Sequence, residues 1–285
     1  MQKEPLIGIG IILFHTTEKE LVHIVMTLRK AMDGTEAGGW RKPLVVLADN
    51  SHEWDAEGIR RVSILTDVPL HFHPTPANGG FGSGHNHLMT CAFEKFGVTH
   101  YLCLNPDGIP HPDALVYLYE AIKYHPLPAM IEARQFPSEH PKFYDGDTLE
   151  TDWCSAACLI IPQFLFELTS GFDDRFFMYC EDVDLCWRVW EAGYKCVVAP
   201  KALFHHHVAS RTPNPKANQW MIESGRALAS KWKTPGFQRH CERGLVKELY
   251  YKSVAEMPAL KYSDLHTPHV RVDFDNGFTF SIARW

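Results

Sequence analysis

The run Phe176-Phe-Met-Tyr-Cys-Glu181-Asp182-Val-Asp184-Leu-Cys-Trp-Arg188 is the densest cluster of chemistry-bearing residues in this chain. An apolar and aromatic stretch leads directly into three carboxylates, all in the first turn of a predicted helix. Acids gain about 0.3–1 kcal/mol at that position from the helix dipole, which accounts for one or two of the three. It does not account for an adjacent Glu-Asp pair behind a run of Phe, Met and Tyr. A carboxylate held at a pocket wall can act as general base towards a hydroxyl.

Three further polar clusters close predicted strands: Asp49-Asn50-Ser51, Asn78-Gly79-Gly80 and Asn105-Pro106-Asp107. Ordinary turn chemistry explains any one of them. Three on one sheet edge argue for a site, because α/β sheets bind ligands outside the carboxyl ends of their strands. Asn78-Gly-Gly-Phe-Gly-Ser-Gly-His-Asn86 runs into a helix, where glycines admit close backbone approach and helix-start N–H groups favour phosphate. The segment lacks the Gly-Lys-Ser/Thr ending of a nucleotide triphosphate loop and fails the dinucleotide G-x-G-x-x-G register. A flexible loop explains it as well as phosphate contact does. Asp107 lies between a strand and a helix, where one carboxylate could hold a divalent cation against a diphosphate or simply serve a turn. His205-His206-His207 ends the last predicted strand of this region. The trio reads either as solvated imidazoles or as a neutral ligand beside Asp107. The eight cysteines sit mostly in apolar stretches and read as reduced, buried thiols. Cys154-x3-Cys158 resembles half a zinc site with no second pair at metal spacing.

The elements that must position these residues alternate. Strands are predicted over 6–13, 43–48, 68–73 and 100–104, with helices over 18–32, 84–96 and 112–124. Strands over 129–133, 155–161 and 195–199, and helices over 163–169 and 181–192, follow. This order predicts an α/β domain with a mixed, mostly parallel sheet flanked by helices. Arg211-Thr-Pro-Asn-Pro215 reads as a linker, dividing the chain into a catalytic domain, 1–212, and a C-terminal extension, 213–285. Residues 216–251 look helical. Two period-two runs around Asp275-Asn276-Gly277 predict a β-hairpin.

Composition bounds the function. The chain has 285 residues, 45% hydrophobic and 22% charged, with 28 Lys+Arg against 34 Asp+Glu and a net charge of −6. These values exclude a disordered chain and a coiled coil and give no positive field for nucleic acid. No apolar run approaches the roughly 20 residues of a membrane-spanning helix. The first 13 residues read as a strand and not a signal peptide, which predicts a cytoplasmic protein.

In order, several segments resemble glycosyltransferase family 2, the inverting sugar transferases of the GT-A fold, and within it the bacterial rhamnosyltransferase-like branch. They are Ala48-Asp-Asn-Ser, Asn78-x-Gly-Phe-Gly-x-Gly-x-Asn86, Leu104-Asn-Pro-Asp-x-x-Pro-x-Pro-Asp-Ala-Leu115, Gly171-Phe-Asp-Asp-Arg-Phe-Phe-Met-Tyr-Cys-Glu-Asp-Val-Asp-Leu185, Glu191-Ala-Gly-Tyr194 and His205 to Ser210. Each is common singly; their order and spacing are specific. The resemblance spans residues 6–212. It implies that Asp182 is the catalytic base and that Glu181 shapes the acceptor side. Asp49 with Asn50 would contact the base of the nucleotide, and Asn78, Gly80, Gly82 and Asn105 would line nucleotide and diphosphate. It further implies that Asp107 and His205 meet a divalent cation, Mg²⁺ or Mn²⁺. Asn105 stands where the general Asp-x-Asp motif has its first carboxylate, which leaves less negative charge for the ion. The implied reaction moves a sugar, foremost L-rhamnose from dTDP-rhamnose, to a hydroxyl of a bacterial surface glycan or its lipid-linked precursor. The alternatives are a galactofuranosyl- or hexosyltransferase using a UDP-sugar, and a nucleotide-sugar-binding relative without turnover. A nucleotidyltransferase is disfavoured, because Phe14-His15-Thr16-Thr17-Glu18 is not a Gly-rich basic loop after the first strand. A lipid-linked acceptor implies peripheral contact with the inner face of the membrane. The extension, with Trp220, Trp232 and Phe237 among Lys and Arg, could rest on that surface, face an acceptor or brace the catalytic domain.

Overall fold

The computed structural model describes residues 4–125, 127–140, 142, 145–206 and 214–260. Among these, an eight-stranded sheet is flanked by eight α-helices, as the alternation of elements predicts. Strands β1 (Ile7–Leu13), β2 (Leu44–Asp49), β3 (Leu70–Phe72) and β4 (His100–Leu104) alternate with helices α1 (Glu18–Ala37), α2 (Ala56–Thr66) and α3 (Gly80–Phe96). Then come β5 (Gly108–Pro110), α4 (Ala114–Tyr124), β6 (Ala129–Phe136), β7 (Cys158–Pro162), α5 (Gln163–Thr169), α6 (Glu181–Glu191) and β8 (Lys195–His206). Helices α7 (Pro215–Lys231) and α8 (Pro235–Lys247) close the described chain with a 3-10 turn at Val254–Glu256.

The sheet order is β3-β2-β1-β4-β7-β6-β8-β5. Pairings β1 with β2 and β4, β2 with β3, and β6 with β8 are parallel; those of β7 with β4 and β6, and of β5 with β8, are antiparallel. Every residue of β1 is buried, because both sheet faces are covered. Ile7, Ile9, Ile11 and Leu13 alternate onto one face, with Leu21, Val25 and Leu28 of α1, Ile59 and Val62 of α2, and Leu118 of α4. The other face carries Ile12 against Leu88 and Ala92 of α3, Val183 and Trp187 of α6, and Leu228 and Trp232 at the end of α7. The apolar side of the C-terminal extension thus joins the core of the sheet domain; Trp187 and Trp232 cross edge-on at 5.3 Å. The predicted hairpin at 270–282, His207 and most of the linker lie outside the described residues.

Three elements depart from expectation for local reasons. Helix α2 was not predicted. Its inward Ile59 and Val62 have helical spacing, but Ile64 and Leu65 are both 65% exposed and blur the period. Asp55 caps this helix, accepting from Gly58 N at 2.8 Å. Strand β8 runs past Pro200 to His206, with the register slipping between Ala133/Ala199 and Arg134/Leu203, so the proline sits in the irregularity. The prolonged β8 gives three-residue β5 a partner, with Gly108 opposite His206.

Candidate active site

The carboxyl ends of the parallel strands gather the predicted residues. At the end of β2, Asp49 is buried and accepts from the backbone N–H groups of Ser51 (2.9 Å), Glu53 (2.7 Å) and Trp54 (2.9 Å). Burial works to raise its carboxyl, and these donors with the Ser51 hydroxyl outweigh it and hold it below the ordinary value. Asn50 donates from Nδ2 to Gly80 O (3.1 Å) and accepts at Oδ1 from Thr75 Oγ1 (3.1 Å). Both side chains therefore fix the loops at the β2 edge, Asp49 by gathering the 51–54 turn and Asn50 by tying β2 to the start of α3.

The glycines of the 78–86 segment have a packing reason. Asn78 Oδ1 accepts from Gly80 N at 3.0 Å. Gly80 has φ +89, and a Cβ there would lie 1.8 Å from Phe177 O; a Cβ on Gly82 would meet Phe172 Cβ at 2.9 Å and Glu181 Cγ at 3.4 Å. Phe81 N donates to Phe177 O at 3.1 Å. Asn86 clamps the same segment, donating to Phe172 O (2.8 Å) and Asp174 Oδ1 (3.0 Å) and accepting from Phe172 N (2.8 Å). The start of α3 is thus a seat for the stretch that carries Glu181 and Asp182.

Asp182, in the first turn of α6, accepts from Ala156 N (3.0 Å) and Val183 N (2.8 Å). Burial pushes its carboxyl up to about 6, against those amides, which favour the ionised form. Burial and then the charge of Asp182 hold the Glu181 carboxyl well above the carboxylate range. Glu181 Oε2 is buried with no hydrogen-bond partner among the described residues. An acid–base value near 6 suits a base that must be ionised at neutral pH yet still hold a proton.

A short backbone link joins Asp182 to the β4 end. Asn105 N donates to Ala157 O (2.9 Å), the residue beside Ala156. Asp107 follows two positions on, with Oδ1 3.4 Å from Nε2 of His206. Asn105 Nδ2 lies 3.5 Å from the same nitrogen. His206 reaches the Asn-Pro-Asp turn. His205 and His206 alternate across β8, and His205 lies on the other side with its ring edge-on to Phe136 at 5.1 Å.

Behind His206 lies a buried polar chain that the sequence did not reveal. Gln135 Oε1 contacts His206 Nδ1 at 2.8 Å, and Gln135 Nε2 donates to Glu132 Oε1 at 3.2 Å. Glu132 Oε2 accepts from Ser155 N at 3.0 Å and pairs with Lys142, which also donates to Trp153 O at 3.0 Å. Burial pushes the Glu132 carboxyl up to about 7 against the lysine charge. With its amide nitrogen donating to Glu132, Gln135 turns its oxygen to Nδ1 of His206 and orients the ring. Nε2 then faces the Asp107 carboxylate. A ring nitrogen and a carboxylate oxygen at this separation are spaced to take a cation between them, since cis oxygen or nitrogen ligands of Mg²⁺ or Mn²⁺ stand about 3 Å apart.

The remaining candidate cluster is thiol. Cys154, Cys186 and Cys196 are the one group of three metal-capable side chains found within 4.8 Å among the described residues. Each thiol reaches a backbone carbonyl, Val197 O, Cys154 O and Cys186 O respectively, at 3.6–3.8 Å. All eight cysteines are free and buried, as read from their apolar surroundings.

The comparisons with known proteins agree with this geometry. No protein-family profile matches the chain. It is similar to rhamnosyltransferase WbbL of Escherichia coli (strain K12), 29% identical over 192 residues, covering 54% of this chain and 73% of that protein. It is also similar to an N-acetylglucosaminyl-diphospho-decaprenol L-rhamnosyltransferase of Mycobacterium tuberculosis, 28% identical over 216 residues, covering 61% and 69%. Among solved structures, mannosyltransferase PcManGT from Pyrobaculum calidifontis, in complex with GDP-Man and Mn²⁺, superposes with TM-score 0.59 at 15% identity over 87% of this chain and 71% of that one. GalNAc-T7 with UDP, GalNAc and Mn²⁺ gives 0.61 at 10% identity over 88% and 53%. The fold is that of the GT-A glycosyltransferases, and the relatives it is similar to are glycosyltransferases. Within it, the likeness is to bacterial rhamnosyltransferases, as the order of motifs implies. Among the described residues no helix is long and apolar enough to cross a membrane.

Proposed function

We propose that this chain transfers a sugar with inversion from a nucleotide donor, foremost L-rhamnose from dTDP-rhamnose, to a hydroxyl of a glycan or a lipid-diphosphate-linked glycan precursor. The observation that carries the reading is the Asp182 carboxylate, half-buried, raised to about 6 and linked through Ala156-Ala157 to Asn105 at the start of the Asn-Pro-Asp turn. The names of the two relatives support the sugar, and that of the mycobacterial one supports a lipid-diphosphate acceptor. Such an acceptor brings a cytoplasmic enzyme to the inner face of the membrane.

Inversion is one displacement. The acceptor oxygen attacks the anomeric carbon, its proton passes to Asp182, and the bond from that carbon to the diphosphate breaks with its electron pair leaving on phosphate. A hydroxyl is far too weakly acidic to attack unaided, so the fixed carboxylate takes its proton as the new bond forms. Glu181 lies beside it, its carboxyl raised by burial and by the Asp182 charge. A divalent cation held by Asp107 and His206 would neutralise charge developing on the leaving diphosphate. Asp49 and Asn50 hold the loops that border the nucleotide.

The donor is tested with a panel of nucleotide sugars in a hydrolysis assay. Turnover of dTDP-rhamnose above UDP-galactofuranose and UDP-hexoses is expected; preference for a UDP-sugar would replace the donor, and donor binding without turnover on any acceptor would remove the transferase. For the cation, Mn²⁺ affinity is measured by electron paramagnetic resonance with a nucleoside diphosphate present. His206→Ala and Gln135→Leu are each expected to weaken it by about 10–100-fold. His205→Ala should leave it unchanged, and the reverse pattern would return the ligand role to His205.

A further inference from the structure

We propose that Lys231 and Trp232, at the end of α7, are positioning residues for transfer: they lock the 172–184 segment so that Asp182 is held in place. The proposal rests on the reading of Asp182 as the base and assigns the C-terminal extension a part in the reaction.

The segment needs external support. It enters α6 through two consecutive left-handed residues, Tyr179 (φ 71) and Cys180 (φ 66), neither of them glycine. Such a backbone persists only where its surroundings over-determine it. On one side the seat is the start of α3, described above. On the other side it is α7. Ser224 Oγ donates to Met178 O at 2.7 Å, one residue before the left-handed pair. Lys231, 1% exposed, bridges Asp173 (2.7 Å) and Asp184 (2.8 Å), the two ends of the segment. Trp232 Nε1 donates to Asp184 Oδ1 at 2.9 Å. Arg188 completes the lock, donating from Nε to Asp184 Oδ2 at 2.8 Å and from its two terminal nitrogens to Thr169 O and Gly171 O.

Asp184 is fully buried and lies two residues from Asp182 in the same helical turn. A buried carboxylate with three charged or N–H donors is fixed in orientation, and loss of one donor leaves charge unpaired. Movement of Asp184 tilts the first turn of α6, and Asp182 moves with it. A displacement near 1 Å in a reacting group is enough to lower a rate by about 100-fold. The hydrogen bonds of the lock go to the 169–184 stretch and not to β2 or the β4 end, which carry most of the nucleotide side.

The test separates position from stability. In the full chain, Trp232→Phe keeps the ring and removes one hydrogen bond, Lys231→Met removes the bridge and Lys231→Arg restores its charge. Thermal melting, nucleoside diphosphate affinity by calorimetry, and kcat per folded molecule are measured for each. The expected result is a fall in kcat of about 10-fold for Trp232→Phe and 100-fold for Lys231→Met, with nucleotide affinity within about twofold and part of the rate returned by Lys231→Arg. If Lys231→Met does not fold, Trp232→Phe decides alone. Lower melting temperature with unchanged kcat per folded molecule, while Asp182→Asn is inactive, would overturn the positioning role and leave the base reading intact. Full turnover by Asp182→Asn would overturn both.

Discussion

Asp182→Asn is expected to lower kcat by about 10²–10⁴-fold while nucleoside diphosphate binds with unchanged affinity. The amide has nearly the shape of the carboxylate, and its oxygen can still accept from Ala156 N or Val183 N, so the first turn of α6 keeps its place. What it loses is the ability to take a proton. The wild-type pH profile follows from the same carboxyl. A base must be ionised to act, and burial lifts the Asp182 carboxyl to about 6, so activity is present above that value and is lost as pH falls through it. The residual rate of the Asn variant should show no such limb. A variant with wild-type kcat, or one that keeps the limb near 6, would place the base elsewhere.

The second large effect is on the seat of that segment. Gly80→Ala is expected to destabilise the protein by about 3 kcal/mol, through left-handed backbone and a clash with main chain. The new Cβ would stand 1.8 Å from Phe177 O, which cannot swing aside as a side chain could, since it accepts from Phe81 N. For a chain of this size that corresponds to a fall in Tm of about 6–12 °C. Turnover should fall as well, because the only relief is to push the 177–182 stretch off α3. Gly97→Ala is the control. Gly97 is also left-handed, at φ 61, but nothing stands within 4 Å of its Cβ position. It should cost about 1–2 kcal/mol with kcat unchanged. Equal losses at the two positions, or full activity in Gly80→Ala, would show that the contact with Phe177 does not matter to Asp182.

Most of the sheet was legible because β1, β2 and β4 are covered on both faces and so read as unbroken apolar runs. Helix α2 was hidden by its exposed Ile64 and Leu65, and β5 by its length and its dependence on a strand nearly a hundred residues away. Turn chemistry at strand ends named Asp49, Asn105 and Asp107 as candidates, and acids after an aromatic run named Glu181 and Asp182. Adjacent residues on a strand face opposite ways; the resemblance implies His205 for the cation, and the pairing of β8 with β5 and β6 sets His206 against Asp107. The support beneath His206 was missed because Glu132, Gln135 and Lys142 find one another only in the folded chain. One signal was present, a glutamate inside the apolar run 129–133, since a charge on a strand buried on both faces requires a partner. From spacing alone the glycines of 78–86 read equally as a flexible loop or a phosphate contact. Only the packed structure shows Phe172, Phe177 and Glu181 lying against Gly80 and Gly82.

The most direct measurement is a crystal structure with a thymidine nucleoside diphosphate and Mn²⁺, the ion located by its anomalous scattering. One pocket serving Asp107, His206 and Asp182 requires a manganese peak bonded to Asp107 and Nε2 of His206, the diphosphate against that ion, and the Asp182 carboxylate facing the space beyond the terminal phosphate. A peak held by other side chains, or a diphosphate bound with Asp182 turned away from it, would contradict sugar transfer at this site.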